Sequence, residues 1–150
     1  KGSIGRERKQ LPTSDGSTKG AGAVALGLVP GLAVQELGWG DDVDDALREQ
    51  VMDAIDADLL YEATEAVDVV LLWWRDSDGD VADGLVDALT DLSPTGYIWL
   101  LTPKVGRTDY VDPTDLAEGA LTAGLSVANP ASVSANWQAQ KLVRPRAGRR

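Results

Sequence analysis

Two apolar runs, VDVVLLWWR from Val67 to Arg75 and YIWLLTPK from Tyr97 to Lys104, bracket a polar stretch with helical spacing, DSDGDVADGLVDALTDLSPTG. Both runs are apolar at nearly every position instead of alternating. A strand covered on both faces of a parallel sheet needs that pattern, because neither face meets water. Strand, helix and strand in this order imply a layered α/β domain.

The flanking sequence extends the unit. Residues 2–22 are rich in Gly, Ser, Thr, Lys and Arg, with almost nothing to bury, and are expected to be disordered. Structure is expected from about Ala23, where AVALGLVPG supplies a short apolar helix or turn ending at Pro30 and Gly31. The first core strand is predicted over Leu32–Leu37, followed by a turn at Gly38, Trp39 and Gly40 and an acidic cap at Asp41 and Asp42. Val43, Leu47, Val51 and Ile55 then recur at four-residue spacing, one apolar face of a helix whose acidic first turn suits its positive end. Residues 58–61 read either as a short second strand or as a connection.

Beyond Arg75, Asp80 is placed to cap a second helix with Val81, Leu85, Ala88, Leu89 and Leu92 facing inward. Pro94 and Gly96 turn the chain into a strand over Tyr97–Leu101. Asp112 followed by Pro113, with Asp115 three residues after the cap, predicts a third helix start. Its buried face is expected to be Leu116, Ala120 and Leu121, and its stop Gly124. The stretch LSVANPASVSANWQAQKLV closes the domain as an antiparallel hairpin. The expected division is a disordered basic segment over 1–22, one α/β domain over 23–146 and a basic tail over 147–150.

Composition excludes whole classes of chemistry. The 150 residues contain no cysteine and no histidine. Disulfides, thiolate nucleophiles, histidine bases and cysteine or histidine metal sites are therefore excluded. No apolar run is long enough to span a membrane and no secretion signal is visible, so a cytoplasmic protein is expected. The first twenty residues carry a net +3 and the last ten +5, leaving −18 on residues 21–140. Such a body repels nucleic acid and anionic membranes, which leaves only the basic ends for contact with RNA or another polyanion.

The quoted blocks resemble a known family. LGLVPGLAVQELGWGDDVDDALR, DVVLLWWRDSDGD, GYIWLLTPKVGR and VDPTDLAEGALTAGLS, in that order, are similar to a bacterial family common in actinobacteria, domain of unknown function 3052. The order of elements resembles a small methyltransferase-type Rossmann-like domain. That resemblance implies a three-layer α/β fold with a mostly parallel sheet and a C-terminal antiparallel hairpin. It also implies a place for S-adenosylmethionine: Glu36, Gly38 and Gly40 match the acid and two glycines of the turn after the first strand, where the cofactor approaches the backbone. Trp39 fills the intervening position, and Asp41 and Asp42 follow where a third small residue is expected. Asp58 and Glu62 are candidates, by position, for the acid that holds a ribose.

Other candidates come from the residues themselves. Trp73, Trp74 and Arg75 end one strand and Thr102, Pro103 and Lys104 end its neighbour, so they border the ligand crevice of an α/β sheet. Trp39, Trp74, Arg75, Lys104 and Arg107 form the expected ligand or partner edge, suited to an anionic or planar group. Adjacent strand residues face opposite ways, so Trp73 and Trp74 cannot both serve it. Asp76, Asp78 and Asp80 share the spacing of the first ligands of a calcium loop, but Val81 stands at its sixth position and Asp87 at its twelfth; a turn that caps a helix explains them more simply. Trp137 is expected at the rim of the sheet, where with Trp39 it would form an apolar patch for a protein partner. Three functions follow: a non-enzymatic binding or regulatory module on a degenerate nucleotide-cofactor fold, with no cofactor and a protein partner; an S-adenosylmethionine-dependent methyltransferase; and a polyanion binder acting through its tails.

Overall fold

The segment from Val67 to Lys104 folds as its pattern predicts, and the other elements assemble around it. The computed structural model describes residues 24–145; the basic segments expected at 1–22 and 147–150 lie outside the described residues. The elements are strand β1 (Val34–Leu37), helix α1 (Asp45–Ile55), strand β2 (Val67–Trp73), a 3-10 turn at Asp76–Asp78, helix α2 (Val81–Leu89), strand β3 (Leu92–Pro103), helix α3 (Pro113–Thr122), strand β4 (Ser126–Ser132) and strand β5 (Trp137–Val143). The sheet order is β1-β2-β3-β5-β4. β1, β2 and β3 are parallel, and β5 runs antiparallel to both β3 and β4.

Three layers result. On one face Val34, Val69, Leu71, Trp73, Trp99 and Leu101 pack against Leu47, Val51 and Ile55 of α1 and against Leu26. On the other, Val70, Leu72, Ile98, Leu100 and Leu142 pack against Val81, Leu85 and Ala88 of α2 and Leu116 and Ala120 of α3. The uninterrupted apolar runs of β2 and β3 are thus explained: odd and even positions both meet helices. Trp73 and Trp74 part as strand geometry requires, Trp73 into the α1 face and Trp74 against α2.

The structure corrects several boundaries. β1 starts at Val34 instead of Leu32, because the Ala33 N–H donates to the Asp68 carboxylate at 2.8 Å and not to a neighbouring strand. Residues 58–61, read as a short strand or a connection, form a connection with one parallel bridge, Leu60 to Gln35. α1 is capped by Asp44, whose carboxylate accepts from Leu47 N–H at 3.0 Å, and not by Asp41 or Asp42. Leu92 belongs to β3, paired with Val67; residues 93–96 bulge out before pairing resumes at Tyr97 opposite Val69. Leu121, expected inside, is 78% exposed, and Leu125 beyond the helix is buried in its stead. The caps at Asp80 and Asp112 and the left-handed stop at Gly124 form as predicted. Among the described residues no helix is long and apolar enough to cross a membrane.

Candidate functional site

From β1 the chain runs through α1 to the Leu60 bridge on the outer side, then returns past β1 to form β2. Strand order reverses there, so the crevice beyond the carboxyl ends of β1 and β2 is where an α/β sheet places a ligand. Glu36, Gly38, Gly40 and Asp42 enter it from the β1–α1 turn, and Arg75 from the end of β2.

Glu36 is 1% exposed. Its carboxylate accepts two hydrogen bonds from Arg48 of α1, from Nε at 2.7 Å and Nη2 at 2.9 Å, and a third from the Trp73 indole N–H at 2.8 Å. A buried carboxylate requires such partners, since an unpaired charge in the interior is prohibitive. The hydrogen bonds to Glu36 hold the Arg48 guanidinium above the usual arginine range. Arg48 is the only cation in residues 21–74, and that solitude is the signal by which the pairing could have been found.

Arg75 fills the crevice. Its Nε and Nη2 donate to the two oxygens of Asp42 at 2.9 and 2.5 Å, and its Nη1 donates to the Gly38 carbonyl at 2.7 Å. Asp78 lies 3.4 Å from the same Nη1 and accepts from the Arg75 backbone N–H at 2.9 Å. The guanidinium carbon stands 5.4 Å from the centre of the Trp137 ring. The hydrogen bonds with Asp42 raise Arg75 and lower the Asp42 carboxyl below its ordinary value. Both groups therefore stay charged across the physiological range.

The glycines of the turn admit the chain's own atoms. A side chain at Gly38, whose φ is +79°, would place its first carbon 2.2 Å from the Trp73 carbonyl oxygen. At Gly40 that carbon would stand 2.9 Å from Arg75 Nη2 and 3.1 Å from Asp42 Oδ1. The close approach that a Gly-rich turn offers to a cofactor is used here by β2 and by Arg75. Asp42, standing where a third small residue is expected, anchors that guanidinium. The residues present do not fit S-adenosylmethionine at this turn.

The other predicted residues disperse. The bridge at Leu60 runs parallel to β1, which puts Glu62 toward the carboxyl end of the sheet and Asp58 at the opposite end, beside Gly31 and Ala33. Trp74 is half-buried over Gly84. Trp39 is 51% exposed at the rim, Lys104 is half-buried, and Arg107 is exposed. Trp137, expected at the rim, is only 3% exposed: it meets Trp73 edge-to-face at 4.8 Å and donates its indole N–H to the Asp42 carbonyl at 3.1 Å. Packing against Trp73 and the Asp42 backbone takes Trp137 inside, away from the rim that Trp39 occupies. Asp76, Asp80, Asp115 and Glu118 line a cleft of about 330 Å³ between α2 and α3, but no group of acids among the described residues is arranged to hold a metal ion.

Comparison with known proteins agrees with this fold. Mitomycin 7-O-methyltransferase MmcR superposes with a TM-score of 0.57 at 16% identity over 85% of this chain, which spans 54% of that protein. The pyocyanin biosynthetic protein PhzM gives 0.58 at 11% identity, covering 87% of this chain and 55% of that one. Magnesium protoporphyrin IX methyltransferase from Synechocystis, solved with bound SAM, gives 0.52 at 14% identity over 87% of this chain and 77% of its own. Among sequences, uncharacterised proteins of Mycobacterium tuberculosis and Mycobacterium bovis are 46% identical over 128 residues, 83% of this chain and 80% of theirs. Residues 23–146 match the model of DUF3052, a protein family of unknown function, and the chain belongs to that family.

Proposed function

We propose that this DUF3052 protein is a non-enzymatic binding or regulatory module, built on a methyltransferase-type fold that no longer admits the cofactor. The observation that carries the proposal is the Arg75 guanidinium, clamped by Asp42 and the Gly38 carbonyl across the crevice where strand order reverses. Glu36, the acid of the motif, is fully engaged with Arg48 and Trp73. What is left for recognition is the rim. Trp39 is exposed there, and Lys104 and Arg107 have no carboxylate within 4 Å among the described residues. An exposed indole with two unneutralised cations suits a protein partner that offers acidic side chains beside an apolar one.

Calorimetric titration with S-adenosylmethionine and its demethylated product tests the reading. The expected result is no binding to the wild-type protein up to about 1 mM. Binding in the micromolar range would overturn the proposal and restore the methyltransferase alternative. Arg75→Ala is the informative variant, because Gly38→Asp would collide with the Trp73 backbone and disturb the fold itself. Partner binding through the rim predicts that Trp39→Ala combined with Lys104→Glu loses a protein retained by the wild type. Equal retention by both would remove the rim from the proposal.

A further inference from the structure

At the opposite end of the sheet, the start of β3 and the end of β5 border a half-open cavity of about 660 Å³, lined by Pro94, Gly96, Tyr97, Lys141, Val143 and Arg144 among others. Its volume lies in the range of small-ligand sites. Both of its cations are held by neutral groups. Lys141 Nζ stands 4.2 Å from the centre of the Tyr97 ring. Arg144 Nη1 donates to the Ser93 carbonyl at 2.6 Å, and Nη2 to the Leu92 carbonyl at 3.5 Å. A ring face and carbonyl dipoles orient a cation without cancelling its charge. Among the described residues neither cation has a carboxylate within 4 Å, in a chain whose net charge is −10.

The bulge over residues 93–96 builds the wall. Gly96 allows it, since a side chain there would strike the Asp68 carbonyl at 2.7 Å and Leu92 Cδ1 at 2.6 Å. The Ser93 hydroxyl beside it is buried and finds no hydrogen-bond partner among the described residues. Asp68 is the nearby acid; its carboxylate accepts from the Ala33 N–H and lies more than 4 Å from both cations. Two oriented, unneutralised cations beside Pro94, Val143 and a tyrosine ring match a compact dianion joined to an apolar body. We propose that this cavity binds a small phosphate monoester, with Lys141 and Arg144 on the phosphate and the apolar wall on the ester group. A carboxylate would answer one charge only, and an extended polyanion would have to cross the acidic body.

The probe is phenyl phosphate, followed by broadening of its phosphorus resonance on addition of the 150-residue chain, with benzoate as the single-charge comparison. The expected result is saturable binding, weaker for benzoate, that falls about tenfold or more in Lys141→Gln and in Arg144→Ala. If Arg144→Ala fails to fold, Lys141→Gln and Arg144→Lys carry the test, their folding checked by thermal melts. Absence of binding, equal binding of benzoate, or binding unchanged in the variants would overturn the proposal. So would a uridine oligonucleotide that binds more tightly, is not displaced by phenyl phosphate and is lost on removal of residues 146–150. None of these outcomes depends on whether the β1–β2 crevice accepts S-adenosylmethionine.

Discussion

At the scale of single residues, the crevice is governed by two arginines with different duties. Arg48 neutralises a carboxylate that has no other route to water, whereas Arg75 is held by an aspartate at the surface. Removing Arg48 leaves the buried Glu36 carboxyl with only the Trp73 indole N–H, a defect that costs about 3–5 kcal/mol. Arg48→Ala is therefore expected to lower the urea-unfolding free energy by that amount, while Arg107→Ala, at an exposed position, stays within about 0.5 kcal/mol. Equal effects of the two substitutions would mean that Glu36 finds another partner. Glu36 was legible in the sequence as the acid of the turn, but Arg48 was not, because a cation twelve residues downstream on a helix looks like an ordinary exposed side chain. Only its isolation in an otherwise acidic stretch set it apart.

At the scale of elements, periodicity and turn chemistry were enough to place every helix and the central strands. Val67–Trp73 and the later half of β3 were legible because burial on two faces leaves an uninterrupted apolar run, and Asp80, Asp112 and Gly124 because capping chemistry is local. The start of β3 was missed: residues 93–96 pair with nothing, and Leu92 fits a helix face as well as a strand. Trp137 was misplaced because its burial depends on a loop 95 positions away in sequence, which no local pattern records. The same loop supplies an element-scale prediction. Gly38 and Gly124 both have φ near +80°, but a side chain at Gly124 would meet open space, whereas one at Gly38 would meet the Trp73 carbonyl. Gly124→Ala is expected to cost about 1 kcal/mol, from backbone strain alone. Gly38→Ala adds a backbone collision and is expected to cost clearly more, about 3 kcal/mol or beyond, as read from thermal or urea unfolding. Similar losses at both positions would show that the β1–α1 turn can retreat from β2, and so that the crevice is less tightly closed than its contacts indicate.

For the whole molecule, charge is what the fold manages. An acidic body gains stability wherever one of its few cations meets a carboxylate, and the Asp42–Arg75 pair joins the β1–α1 loop to the end of β2 across the crevice beyond these strands. Hydrogen bonding from Arg75 lowers the Asp42 carboxyl below its ordinary value of 3.8. A carboxyl lowered in the folded state stabilises the fold above its unfolded value, and that contribution disappears as pH falls through the folded value. The Asp42 side chain is 55% exposed, so solvent screens the pair and its worth at neutral pH is about 1 kcal/mol or less. Asp42→Asn removes the contribution at every pH. The stability gap between wild type and variant is therefore expected to be widest near neutrality, to narrow below about pH 4, and to close once the wild-type carboxyl is protonated. Urea unfolding of both proteins at several pH values from neutrality downward measures this directly. A gap that stays constant would assign the loss to packing around Gly40 and Trp137, and a gap that widens in acid would mean that the pair does not hold Asp42 ionised; either result would weaken the case that a charged clamp closes the crevice.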